Sequence, residues 1–162
     1  MKNRQTVSLT VNGERVACDV PVRLNLVDFV RNELGFTGSH IGCEHGVCGA
    51  CTMRVDGAPV RGCLMLAVQA DGATVETIEG LNGNRTLAAL QDAFIARNAL
   101  QCGYCTPGML VTALDYLERG GTADRTAIRT EISGNYCRCT GYQAIVDAIA
   151  EVAAARGQGG GA

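Results

Sequence analysis

Tryptophan is absent from the 162 residues, and aromatic residues make up only 4% of them. An apolar substrate pocket would have little to line it with. Histidine is almost as scarce: His40 and His45 are the only two, and both read as solvated loop residues rather than ligands. No metal-binding His motif, no nucleophile paired with a base, and no phosphate loop followed by a dinucleotide-binding acidic residue can be found. No residue is therefore assigned a catalytic role, and substrate chemistry is expected on another chain. Lys and Arg number 14 against 16 Asp and Glu, for a formal net charge of -2. Without a basic block, nucleic acid is not an expected partner. The longest uncharged apolar run, around Cys63 to Val68, is too short to span a bilayer. The opening residues, Met1 to Thr6, lead into no apolar signal core and carry no twin-Arg pair. A cytoplasmic, reducing location without membrane insertion is the expectation.

Two residue types are over-supplied instead: nine cysteines and 21 glycines. The cysteines fall short of the ~8–10% typical of small disulfide scaffolds, and an odd number cannot pair completely. Clustered thiols in a reducing compartment more often hold metal. At 47% hydrophobic and 19% charged residues, the composition is that of a folded globular chain, and the length suits one ordinary domain or two small ones.

The first stretch reads as strands. Val7, Leu9 and Val11 alternate with polar residues, Asn12-Gly13 provides a type I′ turn, and Val16, Cys18 and Val20 alternate on the return, which makes Cys18 a core thiol. Leu26, Val30 and Leu34, with Val27 beside them, predict a helix closed by Gly35. A loop dense in Gly and Cys runs from Gly38 to Cys51. A second hairpin then turns at Asp56-Gly57 between 52–55 and 58–63, with a short strand near 74–78. This order predicts an α+β layout with one helix across a small mixed sheet. After a linker at 79–84 the periodicity becomes helical. Leu87, Leu90, Phe94 and Ile95 mark one helix. A second contains Met109, Leu110, Ala113, Leu114 and Leu117, with Thr106 as N-cap and Pro107 at the first helical position. Ile128 and Ile132 mark a third, and Ile145, Ala148, Ile149 and Val152 a fourth, starting near Gly141. The expected organisation is residues 1–79 as one domain, 80–156 as an all-α four-helix bundle, and 157–162 as a disordered tail.

The cysteines fall into two sets. Cys43-x4-Cys48-x2-Cys51, with Cys63 beyond, has the plant-type [2Fe-2S] spacing. A dianionic cluster needs four converging thiolates, three of them from one tight loop. Gly42, Gly46 and Gly49 allow that loop to wrap, because residues without Cβ accept positive φ and let backbone N–H groups approach the sulfurs. Those contacts stabilise an added electron. The second set, Cys102-x2-Cys105 and Cys137-x-Cys139, could close a zinc tetrahedron on spacing alone; a thioredoxin-like pair lacks its βαβ context. Each pair just precedes a predicted helix, so two positive helix ends could face one anionic centre. A second [2Fe-2S] cluster is the simplest reading.

Three blocks carry a resemblance over nearly the whole chain: Gly42-Cys43-Glu44-His45-Gly46-Val47-Cys48-Gly49-Ala50-Cys51-Thr52, Gln101-Cys102-Gly103-Tyr104-Cys105-Thr106-Pro107-Gly108, and Gly134-Asn135-Tyr136-Cys137-Arg138-Cys139-Thr140-Gly141-Tyr142. Together they resemble the signatures of the small iron–sulfur subunit of the molybdenum hydroxylases, the xanthine dehydrogenase family. The likeness is to bacterial three-chain members, similar to aerobic carbon monoxide dehydrogenase and the dehydrogenases of nicotine and caffeine. The resemblance implies a β-grasp ferredoxin domain followed by a helical cluster-binding domain, with Gln101 and Cys139 close to the pterin of molybdopterin. It also implies two partners, a large molybdopterin subunit and a medium FAD subunit, in an assembly often doubled to a dimer of heterotrimers. Electrons would then pass from molybdopterin through the clusters to FAD. A flavin-free relay to a cytochrome and a non-redox zinc module are the competing readings. Tyr104, Tyr136 and Tyr142, near the second set, are read as bundle packing ahead of contact with the large chain.

Overall fold

Alternating apolar residues draw the first two strands into a hairpin. A computed structural model of the chain describes residues 3–158. In it β1 (Arg4–Val11) pairs antiparallel with β2 (Glu14–Pro21) from Arg4↔Pro21 to Val11↔Glu14. The turn takes positive φ at both Asn12 (50°) and Gly13 (86°), as a type I′ turn requires. Cys18, opposite Val7, is half-buried against the core. The chain then crosses the sheet in a short helical segment, α1 (Leu26–Asp28), which continues as a wider turn over Phe29–Glu33. There the Leu34 N–H donates to the Phe29 carbonyl at 3.3 Å. One extra residue in the turn rotates the face inward by about 100°. Phe29 is therefore fully buried with Val30, while Leu34, predicted on the buried stripe, is only half-buried.

The remaining strands are β3 (Thr52–Val55), β4 (Ala58–Arg61) and β5 (Thr74–Glu76). The sheet runs β2-β1-β5-β3-β4, mixed because β1 and β5 are parallel. Its core joins Val7, Leu9, Val11, Met53 and Val75 to Leu26, Val27, Phe29 and Val30.

Four helices follow: α2 (Arg85–Ala96), α3 (Thr106–Glu118), α4 (Arg125–Glu131) and α5 (Gln143–Gln158). Asn84 caps α2 by accepting from the Thr86 and Leu87 amides, and Asp124 caps α4 by accepting from Ala127. The predicted N-cap of α3 moves by one residue. Cys105 holds that position with helical dihedrals, so its carbonyl accepts from the Met109 amide, and Thr106 is the first helical residue. Ile95 is 69% exposed; Ala93 and Phe94 face inward in its place, and the predicted stripe drifts by one position. α5 continues through Gly157 to Gln158, within the stretch expected as tail; residues 159–162 lie outside the described residues.

The central helix α3 is buried all round from Gly108 to Leu117, because it packs on α2 and α4 and also against β3. Its contact with the sheet buries β3 on both faces, including Thr52 and Arg54. The Arg54 guanidinium is balanced by Glu118 of α3 at 2.6 Å. The fold is thus α+β, with the helices clamped onto the outer face of the sheet next to the cysteine-bearing loop.

Candidate metal centres

The loop between α1 and β3 presents Cys43, Cys48 and Cys51, and Cys63 follows β4. A Cβ on Gly42 would stand 2.8 Å from the Cys48 Sγ, so the backbone reaches the sulfur only because that position has no side chain. Gly46 (φ +84°) and Gly49 (φ +73°) turn the chain in the left-handed region that glycine enters without strain. The amides of Val47 and Cys48 both donate to Cys43 Sγ at 3.3 Å. The donors are thus residues between the glycines. The Cys48 and His45 amides hold the Cys43 thiol down to about 6. Cys51, almost wholly buried at the edge of β3, is pushed up to about 11 by burial, with Cys63 beside it.

The second set lies between helices, Cys102 and Cys105 ahead of α3, Cys137 and Cys139 ahead of α5. The sulfurs of Cys102 and Cys139 are 3.6 Å apart. That is close to the ~3.8 Å edge of a tetrahedron with metal–sulfur bonds of ~2.3 Å. Burial pushes Cys105 up to about 12, with Cys137 adjoining it. Burial also works to raise Cys137, but the Thr140 hydroxyl, donating at 3.1 Å, and the Cys139 and Thr140 amides outweigh it and lower the thiol overall.

The sulfurs gather in two sets: Cys43 adjoins Cys48, and Cys51 adjoins Cys63 with Cys48 near it; Cys102 meets Cys139, and Cys105 adjoins Cys137 with Cys102 near it. Among the described residues no three Cys, His, Asp or Glu groups converge on a point suited to one metal ion. A two-iron core spreads four thiolates over two adjoining tetrahedra. Four thiolates in each set fit that group.

Gln101 lies on the exposed face of the second set and its side-chain amide donates to the Cys139 carbonyl at 3.0 Å. The tyrosines divide. Tyr142 packs partly against the helical core, and its hydroxyl accepts from the Cys137 amide at 2.8 Å. Tyr104 and Tyr136 are 49% and 55% exposed, which corrects the expectation that they fill the bundle. Tyr104 stacks on His40 with ring centroids 4.5 Å apart, and its hydroxyl donates to the Ile41 carbonyl. His40, expected in solvent, thereby links the two halves. His45 is exposed and turns back onto the Cys43 carbonyl.

Asn135, Arg61 and Thr140 carry no functional signal of their own in the sequence. Asn135 and Thr140 lie inside quoted motif blocks, but only the fold shows what they touch. A groove of 480 Å³ between α2 and α5 is lined by alanines and by Asp92, Glu151, Val152 and Arg156, and contains none of the nine thiols.

Residues 9–79 match a 2Fe-2S iron–sulfur cluster binding domain, and residues 77–150 match a [2Fe-2S] binding domain. The chain is 54% identical over 151 residues to the caffeine dehydrogenase subunit gamma of Pseudomonas sp. (strain CBB1), covering 90% of this chain and 89% of that protein. It is 47% identical over 147 residues to the nicotine 6-hydroxylase small subunit of Paenarthrobacter nicotinovorans, covering 91% and 88%. Among solved structures, quinoline 2-oxidoreductase from Pseudomonas putida 86 superposes with a TM-score of 0.88 at 49% identity, over 98% of this chain and 99% of that one.

Proposed function

Since the chain belongs to the small iron–sulfur subunits of the molybdenum hydroxylases, we propose that Cys43, Cys48, Cys51 and Cys63 hold one [2Fe-2S] cluster and Cys102, Cys105, Cys137 and Cys139 the other. The chain is the electron-transfer subunit of an oxidoreductase complex: its two clusters, each taking and giving one electron, connect a molybdopterin centre on a large subunit with FAD on a medium one. Oxidation of substrate on the large subunit releases two electrons, which this chain passes singly.

The chain's own residues shape that task. Gly42, Gly46 and Gly49 let the loop close around the first cluster. The Val47 and Cys48 amides favour the extra negative charge of the reduced state by donating to Cys43. Thr140 does the same for the second centre through Cys137. Gln101 and Cys139, joined on an exposed face, are the residues for the pterin. Tyr104 and Tyr136 beside them are apolar enough to be covered by the large subunit. Residues 1–79 act as a β-grasp ferredoxin domain and 80–156 as a four-helix bundle. The complex is a cytoplasmic dimer of heterotrimers; no described helix is long and apolar enough to cross a membrane.

The observation that carries this reading is the gathering of eight thiols in two separate sets. Purification with the co-encoded subunits should give about four irons per copy of this chain, together with molybdenum and flavin, and two EPR signals after dithionite. A colourless zinc protein, or a single signal with half the iron, overturns it. Replacing Thr140 by valine should lower the potential of the second centre by up to about 40 mV, the limit in which the whole ~1 kcal/mol of the O–H···S bond acts on the reduced state. The loop also loses the Tyr142 amide's acceptor, so unchanged EPR line shape is the control. An unchanged potential in a redox titration would remove Thr140 from the tuning of that centre.

A further inference from the structure

Two segments from different halves of the chain meet at one backbone contact. The Tyr136 N–H donates to the Cys48 carbonyl at 2.8 Å. Cys48 belongs to the first set of thiols, and Tyr136 is bonded directly to Cys137 of the second. Missing side chains permit the approach. A Cβ on Gly49 would stand 2.5 Å from the Gly134 carbonyl oxygen, and one on Gly108, in α3, would stand 2.2 Å from the Gly49 carbonyl oxygen.

Buried polar groups then lock the approach in place. Asn135 is 1% exposed. Its Nδ2 donates to the Gly49 carbonyl at 3.2 Å, and its Oδ1 accepts from the Thr112 hydroxyl at 3.0 Å. Arg61, at the end of β4, donates to the Gly134 carbonyl at 2.8 Å and also reaches Thr52. A buried amide is costly to leave without partners, so the register of 134–136 against 48–49 is firmly specified. This close packing between the halves thus lies where Cys48 of one set and the neighbour of Cys137 in the other are joined by one hydrogen bond.

We propose that the hydrogen bond from the Tyr136 amide to the Cys48 carbonyl is the electronic bridge between the two centres, and that Asn135 is the positioning residue that holds it. The inference rests on the ligand assignment above. Its route runs from the Cys137 sulfur along that residue's side chain and backbone to the Tyr136 amide. It crosses one hydrogen bond and continues through the Cys48 carbonyl and side chain to the Cys48 sulfur. One electron leaves the second centre for each electron the first receives; the substrate-reduced molybdenum subunit replaces it, and FAD is the acceptor. Continuous bonds with a single hydrogen-bonded step carry electronic coupling better than an open gap of the same length.

Tyr136→Pro tests the bridge by removing its hydrogen. Asn135, at φ -120° and ψ 110°, already has the extended conformation that a following proline favours. Tyr136→Ala keeps the N–H and controls for the lost ring. Both variants are prepared in the complete complex, and electron redistribution between the centres is followed after a reducing pulse, with both potentials titrated. Tyr136→Pro should slow redistribution several-fold below Tyr136→Ala, which lacks the same ring, at unchanged potentials, and should weaken the magnetic interaction between the two reduced centres. A wild-type rate in Tyr136→Pro with both signals present overturns the bridge. If that variant loses a cluster, Asn135→Ala decides: a slowed redistribution supports the bridge and a wild-type rate rejects it. A wild-type complex with only one signal rejects the ligand assignment itself, a separate outcome.

Discussion

Cys48→Ala leaves the assembled enzyme with about half its iron, one EPR signal in place of two, and no reduction of flavin by substrate. The effect is this large because the residue serves the loop three ways. Its thiol adjoins Cys43, its amide donates to the Cys43 sulfur, and its carbonyl accepts from Tyr136. Alanine keeps both backbone roles and removes only the sulfur, so the loss isolates metal binding from loop shape. The second set touches none of the deleted atoms, and its signal should persist and still be reduced by substrate. Cys18→Ala is the matched control. That thiol lies half-buried in β2 opposite Val7, away from both sets, and its loss should leave iron, signals and turnover intact. Normal flavin reduction in Cys48→Ala would mean electrons bypass the first centre; altered iron content in Cys18→Ala would mean the ninth thiol is a ligand.

Gly108→Ala should be the most damaging of the conservative changes. The added methyl would lie 2.2 Å from the Gly49 carbonyl oxygen and 3.2 Å from that of Ala50. Both are backbone atoms, and Gly49 is fixed further by Asn135 and by the Thr52 hydroxyl at 2.6 Å. No flexible side chain can move aside. In an ordinary helix interior the same change stabilises by up to ~1 kcal/mol. Here overpacking should reverse the sign and cost about 3 kcal/mol, a fall in Tm of roughly 10 °C for a chain of this size. The shift of α3 away from the loop should also loosen the first centre, so iron is lost faster to a chelator. An unchanged or raised Tm would show that the loop can yield where the packing indicates it cannot.

Elements set by local rules were legible in the sequence. The Asn12-Gly13 hairpin follows from turn chemistry, the α5 stripe from periodicity, and the two cysteine sets from spacing. Features that depend on contact between distant segments were not. A helix of regular pitch would bury Leu34, and the wide turn at Phe29 changes the phase. Aromatic rings usually pack, yet Tyr104 and Tyr136 are half-exposed, and Tyr104 stacks on His40 across the two halves. Asn135 stood inside a recognised block as an ordinary polar residue. Its significance comes from Gly49, Thr112 and Arg61, which are far away in the chain and converge only when the helices close on the sheet. Arg54 offered no signal either, since alternation within a strand cannot anticipate that both faces will be covered.

That double covering of β3 bears on how such carriers could be engineered. Cutting the chain at the linker, to obtain a free-standing redox module, would strip α3 from the sheet and leave the Arg54 guanidinium without its carboxylate neighbour. An outward surface of Thr52, Arg54 and their neighbours would have to be redesigned for water before the fragment could stand alone. Fusing a new electron donor at either end, which leaves that seam closed, is the sounder way to rewire it.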